Sequence, residues 1–180
     1  MSDTKEKVPS DEVDETQLQL AEKMGEAFME GVEYMITEVA HTGDTKEAGE
    51  YVVGFAQEEA EGLWALEDGE FSWHEPGDAN CHVEVVVVDA ADERLVPRCD
   101  VSFSLEGDSG EHGPFDAELL WHPGIYHYGA NVELPESGTY DLHVTVDPPT
   151  FHRHDEKNGD RFGERTEVTF SGVDIETGQD

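Results

Sequence analysis

The chain has 180 residues, which is enough for one domain with a hydrophobic core and too few for two full-sized domains. Its 44 acidic residues against 10 basic residues give a formal net charge of -34. This excludes nucleic acid as a partner, because phosphate binding requires clustered lysine and arginine. Such acidity is typical of halophilic proteins, in which molar salt reduces the screening length to about 3 Å.

The first 13 residues predict a disordered acidic tail, since they are polar and charged, contain Pro9 and show no periodicity. They contain neither a basic flank followed by an apolar stretch nor a lipidation motif, so we expect a cytoplasmic protein. No window approaches 18 uninterrupted apolar residues, and we expect no segment that spans a membrane.

An amphipathic helix is predicted over residues 14–42. Apolar side chains recur there at steps of three and four residues, namely Leu20, Met24, Ala27, Phe28, Val32, Met35 and Val39. Asp14 and Gln17 can cap its start. Methionine can bind soft metals, but at helical spacing we expect it to pack in a core. The helix should dock on the following domain or on a second copy of the chain.

Residues 48–176 predict a β-sandwich domain, because the period shortens to two and turn-prone segments separate short apolar runs. The predicted strands cover residues 51–55, 61–66, 82–88, 100–105, 117–121, 128–134, 139–146 and 167–173. This pattern indicates an all-β fold, an immunoglobulin-like antiparallel β-sandwich preceded by the helix. We expect its two cysteines, Cys81 and Cys99, to be free thiols.

Histidines and a carboxylate provide the clearest chemical pattern. His82 and Glu84 lie two residues apart on a predicted strand and therefore project from the same face. His127 begins another strand after a turn, and His154 lies in a loop beyond a strand that ends in prolines. An imidazole beside a carboxylate is half of a transition-metal site.

The segment from residue 79 to 164 resembles the bacterial periplasmic iron-transport proteins, which are copper-binding partners of high-affinity iron permeases. The resemblance lies in His82-x-Glu84, in the run from His127 to Asn131 (His-Tyr-Gly-Ala-Asn), and in Arg153-His154-Asp155. It implies a homodimer of immunoglobulin-like sandwiches, a copper site and a membrane iron permease as partner. The acidity would make the chain a haloarchaeal-type member.

The resemblance implies His82, Glu84, His127 and His154 as ligands of a copper or iron ion, with zinc as an alternative. Leu120 falls near the position of the family's methionine ligand, and His122 is two residues away. Nitrogen and oxygen ligands suit Cu(II), Zn(II) or iron better than Cu(I).

Two further side chains are candidates for orienting the carboxylates of such a site. Tyr128 and Arg153 could hold Glu84 or its acidic neighbours in place by hydrogen bonds.

The sequence therefore predicts a metal-binding protein related to iron uptake and not an enzyme. It contains no Gly-x-Ser-x-Gly elbow, phosphate loop or dinucleotide fingerprint. The alternative is a halophilic structural or interaction domain of the same fold that has lost metal binding.

Overall fold

The computed structural model describes residues 5–178. Helix α1 spans Glu15–Tyr34 and continues as a π-helical turn, Met35–Val39. Within the described residues, no helix is long and apolar enough to cross a membrane. The strands are β1 Thr42–Ala48, β2 Tyr51–Glu58, β3 Leu63–Glu67, β4 Glu70–His74, β5 Cys81–Asp89, β6 Asp100–Gly107, β7 Gly110–Leu120, β8 His127–Val132, β9 Gly138–Asp147 and β10 Thr166–Ile175.

Eight strands form one antiparallel sheet in the order β1-β2-β5-β8-β7-β6-β9-β10. Strand β7 joins the two layers, because Ala117 pairs with Val101 of β6 whereas Leu120 pairs with His127 of β8. The sheet thus folds over itself into a sandwich close to a barrel, which confirms the predicted fold class. Strands β3 and β4 form a separate hairpin.

The main core lies between the two layers. Val83, Val85 and Val87 point into it from β5, and all three are fully buried. Alternation along the strand explains this, since every second side chain faces the same layer. Cys81 and Cys99 are buried free thiols, as predicted.

A second apolar cluster lies on the outer face of the sheet, beneath the end of the helix. It consists of Val32 and Met35, Ala56 of β2, Val86 of β5 and Ile125. The predicted cap is also present. The Asp14 carboxylate accepts a hydrogen bond from the Gln17 backbone at 2.8 Å, and the Gln17 side chain accepts one from the Asp14 backbone at 2.9 Å.

The predicted contact face of the helix is partly wrong. Leu20 and Met24 are about half exposed, whereas Ala21, Gly25 and Val32 are buried. The reason is a close backbone approach, because a Cβ at Gly25 would lie 1.6 Å from the Asp92 carbonyl oxygen. Small residues therefore form the contact, and the larger apolar side chains next to them face solvent.

The prediction also missed two strands. β1 follows the π-helical turn, within residues that we included in the helix and the loop after it. It is an edge strand that pairs only with β2, and its mostly exposed residues show no apolar alternation. β4 pairs with β3 in the separate hairpin, where neither strand is covered by the core.

Residues 5–13 of the predicted disordered tail contact the sandwich, while residues 1–4 lie outside the described part. The Lys7 ammonium pairs with the buried carboxylates of Asp89 and Asp92. The Val8 backbone exchanges two 2.9 Å hydrogen bonds with the Asn158 side chain. This segment is held in part because Lys7 joins Arg94 and Arg161 in compensating the two buried anions.

Candidate metal centre

Three of the four predicted ligands meet on the outer face of the sheet. His82 and Glu84 project from β5, and His127 begins the neighbouring strand β8. One ligand atom from each of the three lies within 4.8 Å of the others. The residues are 0%, 2% and 3% exposed, so the cluster is closed off from bulk water.

Gly129 provides the space that this cluster needs. It pairs with Glu84 across the β5–β8 ladder and lies beside the His82 imidazole. A Cβ at this position would lie 2.9 Å from His82 Nε2 and 3.0 Å from Leu120 Cδ1. Glycine therefore allows these two side chains to pack against the strand without shifting.

Burial favours the neutral form of all three side chains. Desolvation, assisted by the nearby Glu58 and Glu61, raises the pKa of Glu84 to about 8. Desolvation and the neighbouring His82 lower the pKa of His127 to about 4, and desolvation also lowers the pKa of His82. The 3.3 Å approach of Glu84 Oε1 to His127 Nε2 thus joins two neutral groups rather than an ion pair.

The cluster contains buried nitrogen atoms without hydrogen-bond partners. His82 Nε2 is of this kind, and neither ring nitrogen of His127 makes a well-formed hydrogen bond, although the Ile125 backbone and Glu84 Oε1, which is 3.3 Å from Nε2, lie beside the ring. Buried polar atoms are nearly always satisfied, so three within one small region require an explanation. A transition-metal ion fits, since such ions prefer neutral imidazole nitrogens, and Glu84 would add a carboxylate oxygen once it has lost its proton.

The other ring nitrogen of His82 is engaged. Its Nδ1 lies 2.8 Å from Asn131 Oδ1, and the Asn131 amide also bonds the Glu61 backbone. The sequence reasoning gave Asn131 no role. Its place at the end of the motif that begins at His127, two residues from Gly129, was the available signal.

His154 does not join the cluster. Its side chain is 92% exposed, and its Nδ1 lies 3.1 Å from a carboxylate oxygen of Glu12. The loop that carries it is held against the N-terminal segment. His154 therefore lies apart from the other three predicted ligands of the same chain.

The structure contradicts the roles that we expected for Tyr128 and Arg153. The Tyr128 hydroxyl points into the core, where it donates to the Val96 carbonyl at 2.8 Å. Strand alternation explains this, because Tyr128 follows His127 and must face the opposite layer. Arg153 donates to backbone carbonyls, including that of Phe151 at 2.8 Å. Neither side chain contacts Glu84.

Leu120 and His122 border the cluster. Leu120 pairs with His127 across the β7–β8 ladder and forms an apolar wall. The ring centroid of His122 lies 6.1 Å from that of His127, but its Nδ1 accepts a hydrogen bond from the Gly124 backbone at 2.9 Å. The Nδ1 lone pair of His122 is therefore already engaged by the backbone.

An acidic cleft lies near the cluster. It has a volume of about 720 Å³, and its lining includes Glu58, Glu59, Glu61 and Glu176. Glu58 lines this cleft and also pairs with His82 across the β2–β5 ladder, so the cleft lies next to the cluster. A cleft lined by one sign of charge concentrates counterions, here cations.

Comparison with known proteins finds one matching family model and several similar solved structures. The model of a family described as Fe2+ transport protein matches residues 33–172. No curated protein matches the sequence. A copper-reconstituted P19 protein from Campylobacter jejuni is 17% identical, with a TM-score of 0.63 over 76% of this chain and 96% of that one.

Two further solved structures are similar. The FetP protein of uropathogenic Escherichia coli is 18% identical, with a TM-score of 0.61 over 78% of this chain and all of that one. A copper-bound variant of the Campylobacter protein, in which isoleucine replaces a methionine, is 17% identical. Its TM-score is 0.62 over 76% of this chain and 96% of that one.

These comparisons overturn the predicted cytoplasmic location. The structural neighbours point to the periplasm, and the Escherichia coli protein was produced in that compartment. The prediction considered only the first residues, whereas the similarity to a protein from the periplasm lies in the folded domain.

Proposed function

The chain belongs to the Fe2+ transport protein family, and from that premise we propose that His82, Glu84 and His127 bind a copper or iron ion as cargo. The convergence of one carboxylate and two imidazoles within 4.8 Å, with buried nitrogens left unsatisfied, carries the proposal. The neutral state of the two imidazoles also supports it, because an imidazole must be unprotonated to bind a metal, whereas Glu84 would release its proton when the ion binds.

The donor types favour Cu(II) among divalent ions. Nitrogen and oxygen ligands follow the usual order of affinity, in which copper precedes zinc and iron. Leu120 offers no sulfur, so Cu(I) loses its preferred ligand. The Campylobacter variant still has copper bound with isoleucine in place of one methionine, which supports copper binding without that thioether.

We propose that His154 becomes a ligand only from a second copy of the chain. Two observations support this proposal. The His154 side chain is exposed, so a second chain can reach it, and it does not belong to the cluster of its own chain. A homodimer would then supply a fourth donor to each centre, and a membrane iron permease would receive the ion. The excess of acidic residues further favours a haloarchaeal-type protein that works at high salt.

We propose a binding role rather than an enzymatic one. The family is described as a transport protein, and apolar side chains border the cluster. The competing hypothesis, a structural domain that has lost metal binding, differs in one respect: the three ligand residues would then have no ion to bind.

Metal titration by calorimetry tests the proposal. It should be done in molar KCl, so that the 44 acidic residues do not bind metal unspecifically. Wild type should bind one Cu(II) per chain, and His127→Ala should lose at least about 100-fold in affinity, more than the usual loss for residues that only support a ligand.

His143→Ala is the matched control. His143 also lies near a carboxylate, with its Nε2 3.4 Å from Glu106, but on β9 and outside the cluster. This variant should bind Cu(II) like wild type. Equal Cu(II) binding by wild type and His127→Ala would reject the proposed site, and a wild type that binds no Cu(II) would favour the structural domain.

A further inference from the structure

We infer that Asn131 decides which ring nitrogen of His82 carries the proton, and that it thereby leaves Nε2 free as the metal-binding atom. Asn131 would be a positioning residue, since it acts through His82. The effect on metal binding rests on the proposed function. The tautomer of His82, in contrast, is a property of the metal-free protein.

The orientation of the Asn131 amide is fixed by the backbone of one residue. Asn131 Oδ1 accepts a hydrogen bond from the Glu61 N–H at 3.1 Å, and Asn131 Nδ2 donates to the Glu61 carbonyl at 2.6 Å. Exchanging the amide oxygen and nitrogen would bring donor against donor and acceptor against acceptor. The atom that faces His82 is therefore an oxygen.

An oxygen in this place determines the tautomer of the imidazole. Asn131 Oδ1 lies 2.8 Å from His82 Nδ1 and can only accept, so Nδ1 must carry the hydrogen. A neutral imidazole has one such hydrogen, and Nε2 then holds a lone pair. That atom is the buried, unpartnered nitrogen beside Gly129.

The other tautomer is penalised at both ends of the ring. It would turn the Nδ1 lone pair towards the Asn131 oxygen, and it would bury an Nε2–H donor without an acceptor. Burial without a hydrogen bond is unfavourable for a donor. Asn131 and the burial of Nε2 therefore favour the same form.

The β3–β4 hairpin supports this arrangement. Glu61 immediately precedes Gly62, and a Cβ on Gly62 would lie 2.1 Å from the Trp73 ring. The Trp73 indole, which donates to Glu75 at 2.8 Å, thus packs directly over the backbone next to the Glu61 clamp. The small hairpin holds the peptide that orients Asn131.

The experiment is 15N NMR of metal-free protein, which distinguishes a ring nitrogen that bears hydrogen from one that does not. We expect His82 Nδ1 to bear the hydrogen in wild type. Asn131→Leu removes the acceptor at similar size and should shift His82 towards the Nε2–H form. Its Cu(II) affinity should fall about 10- to 100-fold, as for other residues that orient a ligand.

Asn80→Leu is the matched control. Asn80 clamps the Leu134 backbone in the same way, with hydrogen bonds of 2.8 and 2.9 Å, but it does not contact the His82 ring. It should lose a comparable pair of hydrogen bonds while keeping the wild-type tautomer and affinity. A merely structural role for Asn131 would make the two variants behave alike.

An Nε2–H tautomer in metal-free wild type would overturn the inference, and this measurement decides even if Asn131→Leu does not fold. Unchanged tautomer and affinity in a folded Asn131→Leu would overturn it as well. Failure of wild type to bind metal would instead contradict the proposed function, while the NMR result would still decide the tautomer.

Discussion

The two faces of β5 are buried to the same degree but differ in chemistry. On the inner face, Val83, Val85 and Val87 are 0% exposed and pack in the core. On the outer face, His82 and Glu84 are almost as inaccessible to solvent, yet His82 Nε2 has no hydrogen-bond partner. Burial stabilises the fold on the first face, whereas on the second it has an energetic cost that a bound cation can offset.

Matched substitutions on adjacent residues should separate these faces. We expect Glu84→Gln to lower Cu(II) affinity at least about 100-fold while leaving stability near neutral pH nearly unchanged, because the carboxyl is already protonated there. Val85→Ala should do the reverse, lowering the free energy of unfolding by about 2 kcal/mol with no loss of affinity.

Calorimetric titration and urea denaturation measure the two quantities. The contrast between the faces would be lost if Val85→Ala reduced metal affinity as much as Glu84→Gln. It would also be lost if Glu84→Gln destabilised the metal-free protein as strongly as Val85→Ala.

The stability of the metal-free protein should fall between about pH 6.5 and 8. Folded Glu84 retains its proton up to about pH 8, whereas the unfolded carboxyl loses it near 4.5, so this group destabilises the fold progressively over that range. His127 acts oppositely, since its pKa of about 4 in the fold against 6.5 in the unfolded chain makes stability rise from pH 4 to 6.5.

The two contributions oppose each other below pH 6.5 and leave a net fall above it, of about 1–2 kcal/mol. Urea denaturation at pH 6.5 and pH 8 measures this fall in wild type. Glu84→Gln should abolish most of it. A wild-type stability that is flat or rises over this interval would show that Glu84 is ionised in the folded protein.

The smallest effect is expected from Leu120→Met, which places a thioether in the apolar wall of the cluster. Similar volume should keep the change in stability below about 1.5 kcal/mol. We expect Cu(I) affinity to rise about tenfold, because sulfur is the ligand that this ion prefers.

Competition with a Cu(I) chelator under reducing conditions measures the gain. Leu119→Met is the control, since the preceding residue faces the opposite side of β7 and is 42% exposed. An equal gain in both variants would mean that the added sulfur binds copper away from the cluster.

Regular alternation made much of the fold predictable. The run of valines predicted strand β5, and the two-residue spacing of His82 and Glu84 predicted that they share a face. Both predictions depend only on the period of a strand. The polar edge strand β1 has no such pattern. The contact face of α1 was wrong because the close approach of Gly25 to Asp92 involves residues far apart in sequence.

The candidate site was predictable to the same extent. His82, Glu84 and His127 converge as expected, since β5 and β8 are neighbours in the sheet. The placement of His154 depends on contacts between a loop and the N-terminal segment, such as that with Glu12, and no local pattern predicts those. Asn131 was missed because its function lies in the orientation of an amide, which a residue name does not reveal.

Gly129 has a consequence for how this family can diverge. A single methyl group on its Cα would lie 2.9 Å from Nε2 of His82, the atom that we propose binds the ion. One nucleotide change in a glycine codon can introduce that methyl group, and the His82 ring or Leu120 would then have to shift. A position that supplies no ligand atom can therefore alter the proposed site through space alone.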